Sequence, residues 1–248
     1  MVSLLRPGDV FIDIGANIGW YTVVSGLKVG PLGCVFAFEP EEDNADLVER
    51  NVAVNSLRNV KLFRCALSDT TGTIKFIKSA NNMGDHRIDS GVGSENAIEV
   101  PADTLDRIVA SHGLDLGRTR IVKIDTQGAE LMVFRGARNT FAGLPEDSVM
   151  FVEFSPNLLR KHTQDSPEGF IRMPGFLSRD IYVVDSRYRT IHPITQNELR
   201  KFAAECEGSS EDVGLDLILA PRQDGELRRF IRFYAPLVKR RFWRRKTN

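Results

Sequence analysis

Short apolar runs alternate along the chain with longer segments that mix apolar and polar positions. The apolar runs predict strands, namely Val10–Ile14, Cys34–Pro40, a run within Asn59–Asp69, a run from Thr119, Val149–Pro156, Asp180–Asp185 and Gly214–Pro221. The mixed segments predict helices at Ile18–Leu27, Glu42–Asn55 and Thr104–Gly113, and one after Gly128. Gly72–Ile77 alternates and predicts a peripheral strand. Apolar strands separated by helices are typical of a mostly parallel sheet with helices on both faces, so the pattern predicts an α/β fold.

The charge distribution divides the chain into two parts. Residues 222–248 hold ten of the 33 basic and two of the 33 acidic residues, a net charge of +8 that leaves −8 for the rest. We therefore predict one α/β domain over residues 1–221 and a basic, aromatic tail over 222–248. The cations and aromatic rings of 228–246 are typical of membrane-surface segments. The alternative is a tail that packs on the domain or on a second subunit, and Pro236 argues against one straight helix.

Composition excludes several classes of protein. No apolar stretch is long enough to span a membrane, and no secretory signal is recognisable at the N-terminus. Three widely spaced cysteines favour neither a disulfide framework nor a zinc site. We therefore expect a cytoplasmic protein, with peripheral membrane contact as an option for the tail, and the acidic body argues against nucleic-acid binding. Residues 79–99 are rich in small polar residues and predict a long exposed loop.

The turn after the first strand reads Asp13-x-Gly15-Ala16-Asn17-x-Gly19. A dinucleotide fold would place three glycines as Gly-x-Gly-x-x-Gly, and a carboxylate at this point repels phosphate. Asp13 instead suits an ammonium group, and Glu39, at the end of the second strand, can accept hydrogen bonds from both ribose hydroxyls. A ribose and an amino-acid end without phosphate describe S-adenosylmethionine. The alternative is that the glycines only permit a turn and close packing.

The segments DIGANIGWYT, AFEP, ALSD, TLD and KIDTQGAE follow one another between about Gly8 and Glu153. In this order and spacing they resemble the FkbM family of S-adenosylmethionine-dependent methyltransferases. The resemblance implies a Rossmann-like class I methyltransferase fold with seven strands, and methyl transfer typically to a hydroxyl on a sugar, glycan or natural product. It implies cofactor contacts around the methionine end, the ribose and the adenine from Asp13, Gly15, Ala16, Asn17, Gly19, Glu39, Pro40, Leu67, Ser68 and Asp125. Where many members carry Glu, this chain has Gln127, which we do not expect to act as a base.

An alcohol that accepts a methyl group must lose a proton, so we looked for a base. His86 lies in the long polar loop, between Asp85, which could orient its ring, and Arg87, which could bind an acidic acceptor. Asp125 is the second candidate, either as the base or as a contact of the cofactor amine. The alternatives are that His86 is a solvated loop histidine and that Asp125 only caps a helix.

Other polar residues carry weaker expectations. Gln127 and Glu153 are candidates for acceptor contacts at the strand ends, whereas Glu130 has the position of a first-turn helix charge. We read His112, His162 and His192 as structural or solvated. No tight cluster of oxygen ligands is apparent, so we expect no metal.

The leading hypothesis is O-methylation of a small molecule, saccharide or glycolipid. The alternatives are N-methylation of a natural product, a nicotinamide oxidoreductase, which the missing third glycine disfavours, and a non-catalytic cofactor-binding protein at a membrane. The first strand begins near Val10, so either residues 79–99 and 156–180 cover the cofactor in a natural short form or the start is truncated. The acceptor and the oligomeric state stay open.

Overall fold

Two β-sheets organise the described part of the chain. The computed structural model describes residues 1–77, 87–88, 97–163, 165–173, 178–185, 190–209 and 212–222. Its strands, in chain order, are β1 (Val10–Ile14), β2 (Cys34–Phe38), β3 (Val60–Phe63), β4 (Ala66–Leu67), β5 (Gly72–Ile77), β6 (Arg87–Ile88), β7 (Ala97–Asp103), β8 (Thr119–Ile124), β9 (Val149–Phe154), β10 (Arg179–Asp185), β11 (Thr190–Pro193) and β12 (Leu215–Pro221).

The main sheet has eight strands in the order β11-β10-β12-β9-β8-β1-β2-β3. The five strands from β9 to β3 run parallel, and β12, β10 and β11 continue the sheet antiparallel. The prediction of a mostly parallel α/β sheet is thus confirmed, with one strand more than the seven expected. The addition, β11, is a short edge strand ending at Pro193 that pairs only with β10 among the described strands.

Helices cover both faces of the main sheet, as expected. They are α1 (Trp20–Val29), α2 (Glu42–Val54), α3 (Leu105–His112), α4 (Glu130–Gly136), α5 (Arg138–Ala142), α6 (Pro156–Leu158), α7 (Pro167–Ile171) and α8 (Gln196–Glu205), with a 3₁₀ turn at Val2–Leu4 and a π-helical turn at Leu159–Thr163. Apolar side chains of α3, α4, α7 and α8 pack on one face of the sheet. The other face is covered over β1 and β2 by α1, with α2 alongside.

Helix ends match local sequence signals. Thr104, the predicted N-cap of α3, accepts a hydrogen bond from the backbone N–H of Arg107 at 3.1 Å. Our reading missed α8, although Thr195 and Glu198 form a reciprocal capping box at its start. The spacing of these two residues was the available signal.

The second sheet, in the order β4-β7-β5-β6, corrects two expectations. The single strand expected within Asn59–Asp69 is two strands, β3 and β4, in different sheets. Arg64 and Cys65 separate them, and the side chain of Arg64 pairs with Asp46 and Glu49 of α2, at 2.7 and 2.9 Å. The loop expected over 79–99 also contains β6 and the start of β7, since both pair with β5. The peripheral position predicted for Gly72–Ile77 is correct.

Several sequence expectations concern residues outside the described ranges. These are Asp85, His86, the side chains of Arg87 and His162, and the tail beyond residue 222. The described helices include none with the length and hydropathy that a membrane span requires.

The core on the α3–α8 face makes a direct stability prediction. Phe154 of β9 is fully buried and stacks on Phe170 at 5.0 Å between ring centroids, with Phe202 at 6.2 Å. Phe154→Ala should lower the free energy of unfolding by about 3–5 kcal/mol in urea titration. The control Val54→Ala, at a side chain that is 84% exposed, should change it by less than about 0.5 kcal/mol. Equal effects of the two substitutions would contradict this packing.

Candidate active site

The loop between β1 and α1 is pressed against two neighbouring strand ends. The backbone N–H groups of Gly15 and Ala16 both donate to the carbonyl of Phe38, at 3.1 and 3.0 Å. Gly15 has φ +77°, and a Cβ there would lie 2.0 Å from the carbonyl oxygen of Asp125. No side chain fits such a gap, so glycine at this position lets the ends of β1, β2 and β8 meet.

A buried ion pair lies beneath this loop. Asp13 is fully buried, and its carboxylate accepts a hydrogen bond from Thr22 Oγ1 at 2.6 Å. Its other oxygen lies 3.4 Å from Nζ of Lys123, which also donates to the carbonyl of Gly15 at 2.8 Å and lies 3.6 Å from Asp125 Oδ2. The ammonium group also lies 5.7 Å from the ring centroid of Tyr21. The protein itself therefore supplies an ammonium partner for Asp13.

The two carboxylates keep Lys123 charged. Burial acts to lower the pKa of Lys123, but the charges of Asp13 and Asp125 outweigh it, and the pKa is raised. A buried charge is stable only when it is paired and hydrogen-bonded, and this one has three oxygen neighbours.

Glu39 joins the ends of β1 and β2. One oxygen accepts from the backbone N–H of Asn17 at 2.7 Å and the other from that of Glu41 at 3.0 Å. Burial raises the pKa of Glu39 to about 7, although these donors act against the rise. Asn17 has φ +51°, and its buried side-chain oxygen has no hydrogen-bond partner among the described residues. The loop thus presents an acceptor that a ligand donor can satisfy.

The turn after β8 is organised from within by two polar side chains. The fully buried Glu130 accepts from the backbone N–H groups of Thr126 and Gly128, at 2.9 and 3.1 Å. Gln127 donates from Nε2 to Asp125 Oδ1 at 3.0 Å and to Glu153 Oε2 at 2.9 Å. Glu130 therefore stabilises the turn, and Gln127 holds two carboxyl groups together, which a glutamate could not do when charged.

These loops enclose a cavity of about 70 Å³ at the carboxyl edge of the parallel strands, where α/β sheets bind ligands. Asn17, Glu39 and Asp125 supply its polar wall. Its apolar wall consists of Phe38, Ala66, Leu67, Phe76 and Ala129. Sites for small molecules usually measure about 300–1,000 Å³. A nucleoside-sized ligand therefore has to extend through the mouth of the cavity or widen it.

Six of the ten cofactor residues expected from sequence line this cavity, namely Gly15, Asn17, Glu39, Pro40, Leu67 and Asp125. The other four are buried around it. Asp13 is paired with Lys123, Ala16 packs with Ala37 and Val48, Gly19 precedes α1, and Ser68 lies against Gly136.

A second, larger cavity of about 440 Å³ lies over β8, β9, β12 and β10, on the sheet face that carries α1. Asp125 lines both cavities. The two residues expected to contact the acceptor flank Asp125. Glu153 lines the larger cavity, and Gln127 lines the smaller one. We refer to the larger cavity as the groove. Asp125 is therefore a carboxylate that borders both cavities.

Sequence reasoning missed several residues of this site. In the sequence, Lys123 and Tyr21 occupy ordinary strand and helix positions. Lys123 lies beside Asp13 only because β1 and β8 pair in the observed register. Phe76 reaches the cavity from β5, whose alternating pattern was the available signal. Among the histidines, His112 packs edge-on against Phe63 at 5.2 Å, and His192 lies 2.6 Å from Thr190 Oγ1. Both contacts agree with a structural role. Groups of side chains suited to a metal ion are absent from the described residues.

A family model described as the methyltransferase FkbM domain matches residues 13–177. Methyltransferase sdnD from Sordaria araneosa is 28% identical over 163 residues, which cover 54% of this chain and 62% of sdnD. Hexuronic acid methyltransferase AglP from Haloferax volcanii is 32% identical over 133 residues, 53% of this chain and 51% of AglP. The chain thus spans about half to two thirds of the length of these relatives.

The other comparisons are more distant. Methyltransferase 1 from Beauveria bassiana is 26% identical over 149 residues, which cover 52% of this chain and 59% of that protein. The solved structure of the O-methyltransferase TomG from Streptomyces achromogenes, in complex with SAM, aligns with 89% of this chain and 77% of its own at 12% identity and a TM-score of 0.43.

The carboxyl group of Glu153 predicts a pH dependence of stability. Burial, followed by the negative charges of Glu130, Asp125 and Asp216, raises the pKa of Glu153 to about 9. The folded state therefore holds this proton more tightly than the unfolded state. Its contribution to stability is complete below the ordinary glutamate pKa and is lost as the pH rises towards 9.

Glu153→Gln should remove this loss, because glutamine mimics the protonated group. Urea titrations between about pH 5 and 9 should show a flatter profile for the variant, which should exceed the original protein in stability at the alkaline end. The exposed Glu146→Gln serves as the control and should keep the original profile. Parallel profiles for Glu153→Gln and the original protein would show that Glu153 titrates normally.

Proposed function

Because this chain belongs to the FkbM methyltransferase family, we propose that it transfers a methyl group from S-adenosylmethionine to a hydroxyl group of a saccharide, glycolipid or natural product. The observation that carries the proposal is the position of Asp125, which lines both the cavity between Asn17 and Glu39 and the groove beside it. One carboxylate thus faces a place for the donor and a place for the acceptor.

The residues around the smaller cavity suit the cofactor. Glu39 accepts two backbone hydrogen bonds and, as a carboxylate, has lone pairs left for ribose hydroxyls. The buried Asn17 oxygen, without a partner among the described residues, can accept from the ammonium of the methionine end. Leu67 and Phe76 provide apolar surface for the adenine. When bound, S-adenosylmethionine supplies an electrophilic methyl carbon on a sulfonium.

In this proposal, Asp125 accepts the proton of the attacking hydroxyl. Gln127 donates to one oxygen at 3.0 Å, and Lys123 lies 3.6 Å from the other. The carboxylate is thereby held in one orientation at the boundary between donor and acceptor, and positioning supplies much of the rate in such transfers. His86, which lies outside the described residues, is the other candidate for this role, with Asp85 and Arg87 beside it in sequence.

AglP is a hexuronic acid methyltransferase, and this similarity supports a saccharide acceptor. N-methylation and a non-catalytic role remain the alternatives. Incubation with tritium-labelled S-adenosylmethionine and extracts of the source organism tests the proposal, followed by identification of the labelled product. A label on oxygen supports it, a label on nitrogen contradicts it, and no label with any fraction favours the non-catalytic alternative.

Glu39 makes cofactor binding depend on pH. Ribose hydroxyls favour the carboxylate form, so the affinity for S-adenosylhomocysteine should rise as the pH passes through the pKa of Glu39, about 7. Calorimetry between about pH 6 and 8 should show this rise for the original protein. Glu39→Gln should bind about 10- to 100-fold more weakly at pH 8 and lose the pH dependence.

Glu49→Gln, at a side chain that is 59% exposed on α2, is the matched control and should bind like the original protein. A flat pH profile for the original protein, or unchanged affinity for Glu39→Gln, would remove the ribose contact from Glu39.

Asp125→Asn preserves the size of the side chain but removes its basicity. The assay uses saturating labelled S-adenosylmethionine and the extract fraction in which the original protein labels a product. The rate of methyl transfer should fall about 10²–10⁴-fold relative to the original protein. His86→Ala, measured in parallel, should retain most of the rate. The reverse result, with His86→Ala inactive and Asp125→Asn active, would transfer the role of base to His86.

A further inference from the structure

The groove carries a gradient from polar to apolar side chains. Glu153 of β9 pairs directly with Asp216 of β12, and Asp216 pairs with Val184 of β10, which pairs with Ile191 of β11. Residues directly opposite in a sheet point to the same face, so these four side chains form one row that starts beside Asp125. Within this row, carboxyl groups occupy the end beside Asp125 and aliphatic groups occupy the far end, where Asp185 and Thr190 also line the groove.

The neighbouring row of side chains on the same face of the sheet provides the floor of the groove. Lys123 pairs in register with Phe151, and Phe151 pairs with Ile218. Lys123 is engaged with Asp13 and Gly15, whereas Phe151 is partly exposed to the groove and Ile218 is fully buried beside it. On β9 and β12 the floor is therefore apolar.

Strand spacing gives the groove a length. Neighbouring strands lie about 4.8 Å apart, so Val184 and Ile191, three and four strands from β8, lie roughly 14 and 19 Å from Asp125. A single sugar ring does not span that distance. A molecule that reacts at Asp125 and also covers Val184 and Ile191 must carry an extended apolar part.

The charges around the groove disfavour an anion. Asp125, Glu153, Asp185 and Asp216 line it, and burial raises the pKa of both Glu153 and Asp216. The positive groups that line it in the described chain are Lys123, already paired with two carboxylates, and the α-amino group of Met1, whose pKa burial lowers. Glu153 is therefore protonated near neutral pH, and an added carboxylate would meet the carboxyl groups of Asp125, Asp185 and Asp216 without a free cation to pair with.

We propose that the groove binds the body of the methyl acceptor and selects an uncharged amphiphile, with its hydroxyl head beside Asp125 and an apolar chain over Val184 and Ile191. This inference rests on the proposed function, and it narrows the acceptor to a class that differs from the hexuronic acid named for AglP. The carboxyl groups of the row can exchange hydrogen bonds with hydroxyl groups, and the partly exposed side chains of Phe151 and Val184 gain from burial under the chain.

Alkyl β-glucosides of increasing chain length, from methyl to octyl, test the groove by binding alone. Titrations followed by ligand-observed NMR, below the micelle-forming concentration of each glucoside, should show affinity that rises up to about fourfold per added methylene. Octyl β-glucuronide, which has the same chain with a carboxylate on the sugar, should bind at least about tenfold more weakly than octyl β-glucoside. Asp216→Asn should bring the affinities for octyl β-glucuronide and octyl β-glucoside closer together.

Val184→Trp places bulk at the apolar end of the groove. It should weaken binding of octyl β-glucoside about tenfold or more and leave methyl β-glucoside unchanged. The control Val54→Trp, at a position that is 84% exposed on α2, should leave the affinities for both glucosides unchanged. Thermal unfolding of both variants establishes that they are folded.

Affinity independent of chain length, or tighter binding of octyl β-glucuronide or octylammonium than of octyl β-glucoside, would overturn the inference. Calorimetry with S-adenosylhomocysteine on the same samples tests the proposed function independently of this inference. If S-adenosylhomocysteine binds but chain length has no effect, the inference fails and the proposed function stands. If the glucosides bind as expected but S-adenosylhomocysteine does not, the proposed function fails.

Discussion

The buried ammonium group of Lys123 is the contact on which the site depends. It lies between Asp13, the carbonyl of Gly15 and Asp125, at 3.4, 2.8 and 3.6 Å. These oxygens belong to the end of β1, the loop that follows it and the end of β8. Without the ammonium, the fully buried carboxylate of Asp13 would lose its charged partner, and removal of one partner from a buried pair is strongly destabilising. Lys123 therefore sets the distance between the donor loop and Asp125.

Around this contact, acidic groups of the site accept hydrogen bonds from the protein's own donors. Glu39 accepts from two backbone N–H groups, Glu130 from the turn after β8, and Gln127 bridges Asp125 and Glu153. Groups held in this way need little reorganisation when a ligand arrives, which is how an enzyme orients reactants before reaction. The buried Asn17 oxygen, which has no hydrogen-bond partner among the described residues, borders the narrow cavity and leaves one acceptor there for a ligand.

The sequence predicted the parts of the site that depend on local pattern. The strand before Gly15, the glutamate at the end of β2 and the cap at Thr104 could be read because each signal lies within a few residues. Lys123, Phe76 and the row from Glu153 to Ile191 could not, since each depends on which strands become neighbours and in what register. The seven-strand expectation missed β11 because a four-residue edge strand has too short a pattern to recognise.

The crystal structure of the protein with S-adenosylhomocysteine tests the central claim most directly. We expect the ribose hydroxyls within hydrogen-bond distance of Glu39, the amino group beside Asn17, and the sulfur directed past Asp125 towards the groove. A ligand bound elsewhere, or one whose sulfur faces away from Asp125 and the groove, would contradict the account of a donor and an acceptor that meet at this carboxylate.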